Sequence, residues 1–375
     1  MPLKVLIAPD KFKGTLTAQA ASGAMARGWR QARPQDKVEL LPITDGGDGF
    51  GEMMSQLMGA VPQIVFTCDA AHRPCKARWW WHSRSRTAII ETAEVIGLAK
   101  LPVGRYHPFE LDTCGLGRVI RAVRKRGACR CLVGLGGSAT NDAGFGMARA
   151  LGWKFADAGG RPIECWTDLP RVTEIRQPPS QIRFGELIVA VDVRNPLLGK
   201  RGATRVYGPQ KGLTPSEFPV AEKCLGRLTK LVERHQSKAF ARLSGAGAAG
   251  GLGYGFAAFL DGQLESGFEL FASEAGLNER LRNFDLVITG EGAMDHSTSM
   301  GKGTGSIARM CRDLGIPCIG LAGVVKGAAH KRLFAVSAAL TELATLEEAK
   351  NHAAKCLQAL ARQVATQWCE TANKR

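Results

Sequence analysis

Gly134-Leu-Gly-Gly-Ser-Ala-Thr-Asn-Asp-Ala-Gly144 ends an apolar, strand-like run in glycines and then opens a helix with small polar residues. Bare backbone N–H groups at such a start, Gly137 among them, favour a carboxylate or phosphate, and the side chains of Ser138, Thr140, Asn141 and Asp142 can pair hydroxyls or a metal. An Asn/Asp-capped helix after a tight turn would need no ligand at all. The balance is tipped by three more segments of the same design, at residues 10–15, 44–49 and 290–305.

These segments hold what phosphoryl transfer requires: cradled phosphates, a metal held by carboxylates, and a base or aligner for the acceptor hydroxyl. Pro9-Asp-Lys-Phe-Lys-Gly14 offers the carboxylate of Asp10 and two ammonium groups, Lys11 and Lys13, suited to phosphate. Thr44-Asp-Gly-Gly-Asp-Gly49 adds Asp45 and Asp48, and acids packed this closely need a cation such as Mg²⁺ or a lysine partner. A calcium loop would want a bidentate Glu at its twelfth position, which this segment lacks. Residues 290–305 carry Gly290, Glu291, Gly292, Asp295, Lys302 and Gly303. This is not a Walker A motif, because His296 stands where the first glycine belongs and Gly303 replaces the Ser/Thr. The glycines still expose backbone donors, Lys302 supplies charge, and Glu291 or Asp295 can hold a metal. Asp192 and Asn195 sit at the end of another apolar run. Asp192 can orient or deprotonate a substrate hydroxyl, and Arg194 can face a carboxylate or phosphate. No Gly-x-Ser-x-Gly elbow or His-paired cysteine points to acyl transfer.

Gly245-Ala-Gly-Ala-Ala-Gly250 matches the dinucleotide fingerprint letter for letter, but a long helix and a polar stretch precede it where a strand is required. It reads as a glycine-rich loop near the site. An NAD-dependent oxidoreductase acting on a small hydroxy acid is the alternative that this match sustains.

The elements that must position these segments form an α/β chain. A buried strand at 3–8, a helix at 17–33 and a strand at 37–41 make a βαβ opening, with a further helix beginning near Gly49. The same grammar returns late, with a strand at 284–289, a helix at 303–314, a strand at 317–321 and a covering helical stretch at 346–371. Between them lie β-like segments near 62–68, 76–82 and 87–91, helices at 113–126, 142–151 and 215–237, a strand at 186–191 and a surface loop at 171–183. The ends read as halves of one domain and the middle as an insertion.

With 375 residues, the chain exceeds one ordinary core. Hydrophobic content of 45% against 22% charged excludes a disordered class. No apolar run reaches the roughly 18 residues of a membrane span, and the start runs directly into a strand without a signal-peptide design, so the expected location is cytoplasmic. The net charge of +16 raises nucleic-acid binding as an option, but the basic residues are dispersed apart from 118–130, which reads as a solvated helix face. The Trp79-Trp80-Trp81 run is assigned to sheet packing. Eleven cysteines form no Cys-x-x-Cys pair, and seven histidines, His82 and His107 among them, show no ligand spacing. Reduced, mostly buried thiols are expected, and zinc chemistry is not.

Residues 4–14, 45–49, 134–144, 192–197, 207–212 (Tyr-Gly-Pro-Gln-Lys-Gly) and 290–295, taken in order, resemble the type 1 glycerate kinases across nearly the whole chain. That resemblance implies ATP-dependent phosphorylation of D-glycerate, generally to 2-phosphoglycerate in bacterial members, with Mg²⁺. It also implies a flavodoxin/Rossmann-like parallel-sheet domain interrupted by an inserted second α/β domain. The expected division is 1–65 with 285–375, and 66–284, with the active site in the cleft between them. On this reading ATP phosphates meet Lys11, Lys13 and the 290–305 loop, and Mg²⁺ lies near Asp10, Asp45, Asp48 or Asp295. The glycerate carboxylate meets 136–141, with Arg194 and Asn195 nearby, and Asp192 aligns the hydroxyl, with Lys11 and Asp45 as catalytic partners. The expected partners are glycerate and ATP, without nucleic acid or membrane, in a monomer or homodimer.

Overall fold

The apolar runs at the two ends of the sequence form one sheet. The computed structural model describes residues 1–299, 303–327 and 332–372. Contacts gather them into two units, Met1–Asp45 with Phe271–Arg375, and Gly46–Leu270. In the first unit the strands lie in the order Val336–Ala339, Cys318–Val325, Leu286–Met294, Lys4–Ile7 and Lys37–Leu40, and every neighbouring pair is parallel. Val5, Leu6, Ile7, Leu286, Val287 and Ile288 are fully buried, as strands covered on both faces must be.

Helix Ala18–Ala32 starts on Thr17, whose side chain accepts from Ala20 N at 3.1 Å, and buries Ala21, Met25 and Trp29 along one stripe. That stripe packs with Leu357, Leu360, Ala361 and Val364 of helix Ala353–Ala372. At Gly28 a Cβ would fall 2.1 Å from the Gln358 carbonyl, so the two helices approach as closely as they do only because the residue is glycine. From Lys4–Ile7 the chain steps one way to Lys37–Leu40, and from Leu286–Met294 it steps the other way. The reversal between these two central strands is where an open parallel sheet receives ligands, at the carboxyl ends.

The second unit holds a six-stranded sheet ordered Gln263–Ser266, Glu186–Val191, Arg130–Gly134, Thr87–Glu91, Pro74–His82 and Val61–Cys68. The first four strands are mutually parallel and the last two antiparallel. Helices Cys114–Arg126, Phe145–Ala150, Ala203–Lys211, Phe218–Gln236 and Ala248–Leu260 belong to the same unit. One core gathers Leu116, Ile120, Val133 and Val189, and a second gathers Phe145, Trp153, Phe155 and Tyr254. Trp79, Trp80 and Trp81 are buried in the antiparallel part of the sheet, and a Cβ at Gly51 would lie 2.0 Å from the Trp80 ring.

The division falls earlier than the expected 65/66 and 284/285, at Asp45/Gly46 and Leu270/Phe271. Two packing facts account for it. Helix Phe50–Met58 lies on strands Pro74–His82 and Thr87–Glu91, and the expected boundary cuts through strand Val61–Cys68, which pairs along its length with Pro74–His82. Helix Leu277–Leu281 belongs to the first unit, where Arg280 Nε meets Glu39 at 2.9 Å. The expected loop at 171–183 contains a short strand, Glu174–Arg176, paired with Lys154–Ala156. Among the described residues no helix is long and apolar enough to cross a membrane.

Candidate active site

At the switch point the backbone ladder continues past the strand ends. Ala8 N donates to Ile288 O at 2.7 Å and Asp10 N to Gly290 O at 2.8 Å, while Leu41 N and Ile43 N donate to Ile7 O and Pro9 O. These bonds carry the 8–10 and 41–45 segments forward side by side. Lys11 Nζ reaches Asp45 Oδ1 at 3.2 Å, with both side chains about a quarter exposed. The fully buried Phe12 anchors a turn closed by its bonds with Leu16, and Lys13 stands exposed on it.

Strand Leu286–Met294 runs through the residues expected to begin the 290–305 loop, because Gly290, Glu291, Ala293 and Met294 stay in register with Leu321, Ala322, Val324 and Val325. Gly290 permits this: a Cβ there would sit 2.1 Å from Leu321 O. A side chain at Gly292 would crowd Lys13 N at 3.1 Å. Thr304, one residue after Gly303 at the start of helix Gly303–Asp313, donates its hydroxyl to Gly290 O at 3.1 Å. Glu291 Oε1 accepts from Thr298 Oγ1 at 2.7 Å, and Asp295 heads helix His296–Ser299. Lys302 lies outside the described residues.

Burial is the largest cause that pushes the Asp10 carboxyl up to about 7, followed by the negative charge of Asp45, with Glu291 adding to it. Three carboxylates and one lysine therefore share the carboxyl edge of the sheet. Oxygen donors whose mutual repulsion has raised one of them fit a hard divalent cation such as Mg²⁺, which would favour the charged form again.

In the second unit Gly137 is exposed and adopts φ +58°, followed by the buried stretch 138–148. Cβ atoms at Gly136 and Gly137 would strike Asp48, its N at 2.8 Å and its Oδ1 at 2.5 Å, so Asp48 lies directly on this turn. Glu91 holds the glycine turn from below, accepting from Gly49 N at 2.9 Å and Gly51 N at 3.0 Å, and burial raises its carboxyl above the usual range.

Several residues expected to touch substrate also make bonds within the fold. Asp142 is fully buried and accepts from Thr113 N, Thr113 Oγ1 and Gly146 N at 3.0, 2.7 and 2.9 Å. Asn141, also fully buried, donates to Thr204 Oγ1 at 3.1 Å. Ser138 is 6% exposed and bonds to Thr140 and to Ala249 O. Asn195 donates to Arg201 O and accepts from Tyr207 OH, both at 2.7 Å. The helix expected from 142 begins only at Phe145, because Ala143 and Gly144 adopt positive φ. Asp192 and Arg194 remain exposed at the end of strand Glu186–Val191, and burial together with the charge of Asp192 pushes the Tyr207 phenol up to about 12.

The sequence matches the glycerate kinase family over residues 5–369. The chain belongs to that family. It is 34% identical to the glycerate kinase of Bacillus subtilis (strain 168) over 372 residues, covering 97% of each chain. It is 33% identical to the glycerate 2-kinase of Escherichia coli (strain K12), over 92% of this chain and 93% of that one. A crystal structure assigned to glycerate kinase 2 from Salmonella typhimurium LT2 superposes with a TM-score of 0.81 at 32% identity, each chain covered in full.

This family membership leaves the nicotinamide alternative without support, and the local structure removes its one footing. Helix Phe218–Gln236, not a strand, precedes residues 245–250. Ala249, Gly250 and Gly251 are left-handed, and Gly250 lies so close to the Thr140 carbonyl that a Cβ would come within 1.9 Å. These glycines serve approach to the 138–144 segment. Lys211, in the 207–212 stretch of this glycerate kinase family member, has no role assigned from sequence. It is buried and donates to Thr140 O at 2.6 Å.

Proposed function

We propose that this chain phosphorylates D-glycerate with ATP, the 2-hydroxyl being the favoured acceptor. The observation that carries the reading is the Asp10, Lys11, Asp45 and Glu291 cluster at the switch point of a parallel sheet, in a chain of the glycerate kinase family. Lys11 and Lys13 meet the phosphates of ATP, with the backbone of Gly290 and Gly292 and the start of helix Gly303–Asp313 as further donors. Asp45 holds the Lys11 ammonium in place. Asp10, Asp45 and Glu291 would hold Mg²⁺, with Asp48 and Asp295 as the other acids available, and bound Mg²⁺ neutralises charge on the transferring phosphoryl group.

In the second unit, the exposed Gly137 with Gly136 and Arg194 take the glycerate carboxylate. Asp192 accepts the proton of the attacking hydroxyl as its oxygen bonds to the γ-phosphorus, and the β–γ bridging oxygen leaves with ADP. Ser138, Asn141, Asp142 and Asn195 hold these groups in position from within. Dependence on ATP agrees with a cytoplasmic location.

An assay coupling ADP release to each of D-glycerate, L-glycerate and other small hydroxy acids tests the reading, with the product identified by phosphorus NMR. Turnover with D-glycerate and a 2-phospho product is expected. Failure to transfer phosphate to glycerate under any Mg²⁺ concentration would overturn it.

A further inference from the structure

Next to the Thr113–Asp142 pair, the second unit brings together two thiols and an imidazole. Cys68 ends strand Val61–Cys68, His72 lies in the turn before strand Pro74–His82, and Cys114 is the first residue of helix Cys114–Arg126. Their two sulfurs and a ring nitrogen lie within 4.8 Å of one another. The dispersed sequence spacing gave no sign of this proximity.

The surroundings fix all three positions. Asp69 Oδ1 accepts from Ala71 N and Arg73 N and holds the turn in which His72 adopts φ +60°, a costly conformation for a non-glycine residue. Thr67 Oγ1 donates to Gly115 O at 2.6 Å, tying the strand end to the helix start. Asp112 spans the group, its Oδ1 accepting from Cys114 N at 2.8 Å and its Oδ2 lying 3.3 Å from His72 Nε2. A carboxylate on one ring nitrogen fixes the tautomer and leaves the other nitrogen's lone pair for a metal. Tetrahedral zinc with bonds of about 2.3 Å to sulfur and 2.0 Å to nitrogen needs ligand atoms about 3.6 Å apart. Two sulfurs and an imidazole select a thiophilic ion over magnesium or calcium, which take oxygen. Cys114 also lines a cavity of about 560 Å³ with Arg149, Trp153 and Phe155.

We propose that Cys68, His72 and Cys114 bind one zinc-type divalent cation, with Asp112 orienting His72 and water completing the tetrahedron, so that the turn is clamped to the helix. Thiolate ligands must shed their protons to bind, so affinity weakens as pH falls.

The test uses the full chain, stripped with a chelator and kept reduced by a phosphine, and titrated with Co²⁺ and then with competing Zn²⁺. One equivalent of Co²⁺ with thiolate charge-transfer and intense tetrahedral bands is expected, displaced by Zn²⁺. Asp112→Asn should weaken Zn²⁺ binding roughly 10–100-fold, and Cys68→Ser or Cys114→Ser by more than that with loss of charge-transfer intensity. A readout that needs no variant is alkylation of the unsubstituted chain. Zn²⁺ should abolish labelling of Cys68 and Cys114 while the exposed Cys129 and Cys165 still react. Cobalt bound without thiolate bands, unchanged affinity in either serine variant, or unprotected Cys68 and Cys114 would overturn the proposal.

Discussion

Two places in this molecule set a lysine beside carboxylates, and they use the pair in opposite ways. At the edge of the first unit's sheet, Lys11 reaches Asp45 with both partly exposed, and Asp10 is pushed up to about 7 by burial and by neighbouring acids. In the second unit Asp142 is pushed up to about 6 by burial and then by Asp112, and Lys211 is pulled down to about 7 by burial. Asp142, however, is satisfied by Thr113 and Gly146, and Lys211 by the Thr140 carbonyl. The first set gathers partly exposed charge at the ligand edge of a parallel sheet, which is where a metal–nucleotide site belongs; the second lies buried, with its hydrogen bonds spent on the shape of a loop. A shifted carboxyl alone does not mark chemistry. What distinguishes the two is exposure at a ligand edge against burial under a loop.

The largest effect should come from Asp192→Asn, which removes the proposed proton acceptor at an exposed strand end. A loss of about 10²–10⁴-fold in kcat is expected, with circular dichroism and melting unchanged. Undiminished turnover would take Asp192 out of this role and return the 190–199 segment to the scaffold side of the comparison.

Asp10→Asn should cost about 10²–10³-fold in kcat/KM, the scale of one preorganised electrostatic group. Because the substitution also relieves repulsion with Asp45 and Glu291, thermal stability should hold or rise. Lost activity accompanied by a lowered melting temperature would place Asp10 with the structural acids instead.

Sequence made the first set legible and half-hid the second. Strands buried on both faces read directly as apolar runs, and in a parallel α/β sheet their carboxyl ends name the ligand edge, so Asp10, Lys11 and Asp45 could be placed before any coordinates. Asn141 and Asp142 looked equally functional, because a small polar residue after glycines has the same composition whether it meets a ligand or a buried neighbour. The buried neighbours they meet, Thr113 and Thr204, are distant in the chain. Glu91 escaped notice for a related reason: it ends a plain buried strand, and only the fold brings Gly49 N and Gly51 N to its carboxylate. Strands Gln263–Ser266 and Val336–Ala339 are four-residue edge or near-edge pieces, too short for a period to show.

Asp142→Ala sharpens the contrast from the structural side. It leaves donors from Thr113 and Gly146 buried and unanswered, and about 3–5 kcal/mol of stability should be lost, the scale seen when one member of a buried charged network is removed. The urea midpoint should fall while KM for glycerate, measured well below the transition, changes little. A raised KM without destabilisation would mean that Asp142 meets substrate after all.

The smallest effect per step of measurement, read one pH unit at a time, is on the pH dependence of stability, and it separates the two members of the buried set. Asp142 titrates near 6 in the folded chain against an ordinary 3.8, so between these values the folded state keeps a proton that the unfolded state has released, and its contribution to stability falls as pH rises. Lys211 titrates near 7 against an ordinary 10.5. Between these values the unfolded state holds the extra proton, so stability rises with pH, by at most about 1.4 kcal/mol per pH unit. Lys211→Met should flatten that upper limb and leave the lower one in place, at a cost of about 1 kcal/mol for the Thr140 carbonyl it no longer caps. Urea unfolding across the pH range reads both limbs at once. An upper limb that persists in the variant would show that Lys211 keeps its proton when folded, with Asp142 as its ion partner, and the buried set would then resemble Lys11 and Asp45 more closely than its hydrogen bonds indicate.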